Sequence, residues 1–365
     1  MLPPWGLMMK DALALPALPT TRARFVWMFG QRIDLLAFFL PAVLAPLVFI
    51  IGQSSLLVKS ALWTAVFLNA FGLGDFHVGI TWLNYFDRKN LDYYKSSRAK
   101  RAIYYLAPPL IIVFTVLGSF FCPAATASVY MIWSVQHLVQ QNVGLLLLYH
   151  NHGQNEAIVN RTLEVRSLHL AAIFFSLLFA QRIFLMQLAQ FAIWKIMVAL
   201  VGIAFVVAIL LYLRELIVQL RRGAYLNVPA FLFWCLSIYF FMPFAFLGNS
   251  FLDALLIANI MHWAQYIGIM FVLVKRKYAD EQIKNLPMGH PVMFFFVMGL
   301  GGLLLLELGR ALPQTAIHLP PLLSQSLLSV VLGFGMVHYF QDAFMWRFRE
   351  PYYRETVLAY LRKKS

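Results

Sequence analysis

Between Phe191 and Leu213 the chain reads FAIWKIMVALVGIAFVVAILLYL, an apolar run interrupted by a single charge at Lys195. The hydrocarbon core of a bilayer is about 30 Å thick and takes roughly 20 helical residues to cross. This stretch therefore predicts a membrane-spanning helix. Working outward, runs of the same kind recur near 33–52, 60–86, 102–121, 125–149, 168–186, 228–247, 251–274, 291–309 and 322–346. Together they predict an all-α polytopic bundle of about ten transmembrane helices. Composition agrees: 61% of the 365 residues are hydrophobic and only 12% charged, against about 25% charged in a soluble domain. One large water-soluble core is excluded.

The net charge of +14 would point to nucleic acid in a soluble protein. Its distribution says otherwise. Basic residues gather at Lys10–Arg32, Arg88–Arg101, Arg161–Arg166, Arg214–Arg222, Lys275–Lys284 and Arg347–Lys364, which are alternate connections and the two ends. Only Lys59, Arg182, Lys195 and Arg310 lie on the opposite side. Retained positive charge marks the cytoplasmic face, so both termini are expected in the cytoplasm and the protein in a bacterial-type inner membrane. The chain divides into a cytoplasmic N-terminal segment (1–32), a transmembrane domain (33–346) and a basic cytoplasmic tail (347–365) that reads as an interfacial helix. The N-terminal segment has no long apolar h-region, so it reads as a leader rather than a cleaved signal. Cys122 and Cys235 form neither a disulfide framework nor a metal-type spacing. No phosphate loop, nucleophile elbow or nucleotide fingerprint is present.

Ionisable groups inside spans are costly and mark function. His77, His137, His262 and His338 fall on the second, fourth, eighth and tenth runs, which all cross in one direction. They precede Arg88, His150, Lys275 and Arg347 by 11, 13, 13 and 9 residues. At 1.5 Å per residue all four lie at similar depth, roughly 14–20 Å inside the cytoplasmic boundary. Polar neighbours share their faces: Thr81 four after His77, Gln141 four after His137, Asp342 four after His338, and Asn259, Gln265 and Tyr266 around His262. Imidazoles oriented by such groups make a metal site, with the four histidines as ligands and Asp342, Gln141 and Tyr266 as catalytic or supporting residues. Nitrogen and carboxylate ligation without thiolate suits iron, copper, zinc or manganese. Two of the histidines could instead hold a haem b, or the set could be a polar packing layer or the proton relay of a transporter. Pro108-Pro109 and Pro243 interrupt spans without a histidine, which weighs against the transporter. Trp82, Trp133, Trp263, Phe340 and Trp346 near the cluster suit a lipophilic substrate arriving from the bilayer. Electrons would come from a partner or from the substrate.

The remaining histidines carry less. His150 and His152 read as a solvated loop, and His169, His290 and His318 sit at span ends or in loops. Glu307 and Arg310 are expected to pair, and Asp253 to serve a helix end.

The last span, His338-Tyr-Phe-Gln-Asp342-Ala-Phe-Met-Trp346-Arg347, resembles the closing motif of the bacterial membrane β-carotene dioxygenases, the Brp/Blh-like group. Asp75-Phe-His77 and His137 resemble that family's inner histidine positions. The resemblance implies a helical membrane enzyme using non-haem iron and dioxygen on a long apolar polyene, with His77, His137 and His338 similar to iron ligands. His262 rests on depth alone.

Overall fold

The computed structural model describes residues 23–54, 72–150, 155–183, 191–247, 251–279, 290–314 and 319–362. The architecture is all-α, apart from one parallel pair of two-residue strands, β1 (Ala23–Arg24) and β2 (Leu226–Asn227). In chain order the helices are α1 (31–54), α2 (72–85), α3 (Arg88–Lys95), α4 (Arg98–Phe121), α5 (Pro123–Tyr149), α6 (Arg161–Ile183) and α7 (Ala192–Arg221). There follow α8 (Val228–Tyr239), α9 (Met242–Phe246), α10 (Phe251–Lys277), α11 (Pro291–Ala311), α12 (Pro321–Met345) and α13 (351–362). Among the described residues six of them, α4, α6, α7, α10, α11 and α12, are long and apolar enough to cross a membrane. The N-terminal part of the run expected at 60–86 lies outside the described residues.

Proline decides several local shapes. It cannot donate a helical hydrogen bond, and the chain accommodates this with wide π-type turns at 35–39 before Pro41 and at 102–106 before Pro108-Pro109. Neither helix breaks. The run expected at 228–247 is instead two helices, because the chain turns at Phe240 and Phe241 and Pro243 starts a new first turn.

Buried surface identifies the centre of the bundle. In α10, 72% of the apolar window is buried, against 17% in α7. Helix α10 packs on α1, α11 and α13. Helix α12 lies along α4 and also meets α5 and α11. The tightest approach is between α2 and α11: a Cβ on Gly302 would stand 2.3 Å from the Cα of Gly79, so only bare backbone fits. Glycine also seats Trp263 of α10 over Gly74 of α2, where a Cβ would meet the indole at 2.7 Å.

Both ends of the described chain are tied to this body. The carboxyl of Asp34, wholly buried, accepts from the amides of Met28 (2.6 Å) and Phe29 (3.0 Å) and from the Tyr149 hydroxyl (3.1 Å). The tail does not lie free as an interfacial helix. Tyr353, Val357, Leu358 and Leu361 form one buried stripe of α13, and Arg276 of α10 donates to the carbonyls of Tyr360 and Leu361 at its last turn. Arg354 and Arg362 of α13 are exposed, and charges of that kind are what the composition reports.

Candidate metal centre

Each of the four histidines of the predicted layer comes from a different helix: His77 from α2, His137 from α5, His262 from α10 and His338 from α12. All are buried, with 1–5% of their surface exposed. Their Nε2 edges meet. His77 Nε2 lies 3.0 Å from His338 Nε2, and His137 Nε2 lies 3.2 Å from His262 Nε2. The Asp342 Oδ2 atom stands 3.8 Å from the Nε2 of both His137 and His338 and has no hydrogen-bond donor among the described residues. Two groups result, His77/His262/His338 and His137/His338/Asp342, each with ligand atoms within 4.8 Å of one another. They share His338.

For His77 and His338 the opposite edge is held from behind, while His262 Nδ1 is buried with no hydrogen-bond partner among the described residues. His77 Nδ1 donates to the carbonyl of Gly74. A carbonyl can only accept, so in a neutral His77 the Nε2 is a bare lone pair. Thr81 Oγ1 gives its one proton to the carbonyl of His77 at 3.1 Å, which leaves it to accept from His338 Nδ1 at 2.8 Å. His338 Nε2 is then bare as well. Two lone pairs held 3.0 Å apart repel unless a cation or a shared proton lies between them. Two nitrogens bonded to one metal at about 2.1 Å, at right angles, stand on the order of 3 Å apart. The donor set and its spacing fit a metal ion.

The remaining carboxylate oxygen is also directed. Tyr266, completely buried, donates to Asp342 Oδ1 at 3.0 Å and stands 3.0 Å from Thr81 Oγ1. Asp342, Tyr266, Thr81 and His338 thus form one connected ring of contacts. Gln141 is a layer further out: it donates to the backbone carbonyl of His262 (3.1 Å) and to Gln265 Oε1 (3.0 Å), and is in neither ligand group. Tyr339 was not singled out by spacing, since it follows His338 directly. Its ring packs against that of His137 with centroids 4.6 Å apart, and its hydroxyl contacts Ser134 and Tyr130. The signal available was only its place in an aromatic-rich stretch.

Other sequence readings fall as follows. Asp75 turns away from the histidines to Arg310, which grips it with both guanidinium nitrogens (2.6 Å for Nη2 to Oδ1) and also reaches Glu307 at 3.1 Å. His150 is not solvated: its two ring nitrogens each contact a buried carboxyl, Glu156 and Glu164, at 2.8 Å. The residue spacing could not show this, because Glu164 reaches His150 from the first turn of α6 and Glu156 from the segment before it, not from the helix that ends at His150. Burial alone would lower the His150 pKa, but these two carboxyls raise it to about 9. His169 is exposed at its helix, and His290 is exposed and accepts from the Met293 amide at the start of α11. His152, His318 and the side-chain surroundings of Asp253 lie outside the described residues. No protein-family model, curated protein or solved structure matches this chain.

Proposed function

We propose that this protein is a membrane-embedded metal-dependent oxidoreductase acting on a lipophilic molecule. The observation that carries the reading is the convergence of four imidazole Nε2 atoms and one undonated carboxylate oxygen. An imidazole nitrogen has one lone pair, so the sharing of His338 by both ligand groups favours one ion over two. Iron is the leading choice, since several nitrogens with one carboxylate suit it and thiolate is absent. The resemblance of His338–Arg347 to membrane carotene dioxygenases points the same way, with dioxygen as co-substrate; a reaction that needs further electrons would take them from a partner or from the substrate. A porphyrin needs a flat slot between its axial ligands, and the Nε2 contacts at 3.0 and 3.2 Å weigh against haem b.

A bound metal would supply Lewis acidity or redox chemistry at the centre of the cluster. The chain's own groups do the positioning. Thr81 and the Gly74 carbonyl fix the His338 and His77 rings, and Tyr266 directs Asp342. Tyr266 can also hand a proton to Asp342 or Thr81 without solvent. That chain of contacts is also the best observation for a second reading, a proton relay in a transporter.

The membrane placement extends the six apolar helices to ten crossings with both termini in the cytoplasm of a bacterial-type inner membrane, on the strength of the basic alternate connections. Elemental analysis and an optical spectrum of detergent-purified protein test the whole reading beside the variant H137A/H338A. The expected result is a near-stoichiometric transition metal without a Soret band, lost in the variant. Metal-free wild-type protein, or a variant with undiminished metal, overturns it, and a Soret band would transfer the site to haem.

A further inference from the structure

We propose that the groove between α6 and α7 binds one anionic phospholipid, with the headgroup at Lys195 and an acyl chain along α7. The groove has a volume of 680 Å³ and is lined by Phe174, Leu178 and Gln181 of α6 and by Lys195, Gly202 and Val207 of α7, among others. From Lys195 to Val207 it follows one face of the helix for about 18 Å, at 1.5 Å per residue. That is close to one leaflet's share of a hydrocarbon core about 30 Å thick. Its wall is shaped by Gly202: a Cβ there would stand 2.9 Å from the Phe174 ring. The missing side chain lets Phe174 lie against α7, stacked on Phe205 at 5.8 Å between centroids.

The polar end selects the sign of the headgroup. Lys195 is exposed, and among the described residues it forms no ion pair. No Asp or Glu occurs between Glu164 and Glu215, so neither α6 beyond its first turn nor the start of α7 carries an acid. Gln181, at the same end of the groove, accepts from the Trp194 indole N–H at 3.2 Å. A cation at the mouth of an apolar slot about one leaflet deep is matched by a phosphodiester carrying an acyl chain. The Lys195 charge favours an anionic headgroup over a neutral one. The assignment is independent of the metal centre.

Trp194 is the reporter. Full-length protein in zwitterionic nanodiscs is titrated with acyl-brominated phosphatidylglycerol or acyl-brominated phosphatidylcholine. The Trp194 contribution is taken as the difference from W194F. Phosphatidylglycerol is expected to quench Trp194 at about fivefold lower mole fraction than phosphatidylcholine, the effect of one lysine charge near a membrane surface. K195Q, at an exposed position, keeps its unfolding temperature in lipid-free detergent and loses the preference. Equal quenching by both lipids overturns the proposal, as does an unchanged preference in K195Q. A dimeric particle in which neither lipid reaches Trp194 assigns the groove to a second copy instead.

Discussion

His338 touches more of the site than any other residue: His77 at 3.0 Å, Thr81 at 2.8 Å and the Asp342 carboxylate at 3.8 Å. Its ligand edge is useful only if its other nitrogen is held, and Thr81 is the group that holds it. Replacing a residue that orients a metal-bound histidine costs about 10–100-fold in metal affinity. T81V is therefore expected to weaken metal binding by about that factor, while T81S keeps the hydroxyl and stays near wild type. Competition with a chelator of known affinity reads both, and equal affinity in the two variants would remove Thr81 from the site. The pairs His77/Thr81 and His338/Asp342 were legible because four residues make one turn of a shared face. Periodicity gives a face but not a reach. Gln141 shares the His137 face and still ends on a backbone carbonyl, and Tyr339 reaches His137 from a neighbouring helix. Contacts across helices of that kind have no local signature.

At the scale of elements, the sequence marks where helices run more readily than how closely they pack. Helices α5, α10 and α12 begin and end within a few residues of the apolar runs. The α2–α11 contact was not legible, because glycines at 79, 299 and 302 reveal a close approach only once the partner is known. G302V places side-chain atoms where Gly79 backbone already lies. The helices must separate, at a cost of about 1–3 kcal/mol or more for overpacking. A lower unfolding temperature together with reduced metal content is expected, since α2 carries His77; G301V, which meets open space, is the control. The contacts of His150 with Glu156 and Glu164 are expected to respond to pH. His150, raised to about 9 from an ordinary 6.5, contributes stability that is fully present below pH 6.5 and is lost as pH climbs toward 9. A shift of that size corresponds to about 3 kcal/mol. Thermal unfolding of wild type should fall across pH 6.5–9 relative to H150Q, in which the difference disappears. Parallel curves for the two proteins would mean that the Glu156–His150–Glu164 contacts add nothing to stability.

For the whole molecule, hydropathy and charge located the bundle because a bilayer punishes every polar residue in the same way. The same rule obscured the ends. A basic tail satisfies the cytoplasmic face whether it lies on the lipid or packs on α10, and only the stripe Tyr353, Val357, Leu358, Leu361 separates the two. What joins these parts is the cluster itself, which draws one histidine from each of four helices, with Asp342 added from the helix of His338. A ligand bound only to the folded state stabilises it by RT ln(1 + [L]/Kd), about 4 kcal/mol at a thousandfold excess over Kd. Because the ligands sit on α2, α5, α10 and α12, that energy is distributed over the bundle. Stripping the metal with a chelator is therefore expected to lower the unfolding temperature and to speed backbone hydrogen exchange in all four helices together. Restoring the metal should reverse both. Exchange that rises in α2 alone would place the binding energy on one helix, and the four-helix centre would be wrong even if the protein holds a metal.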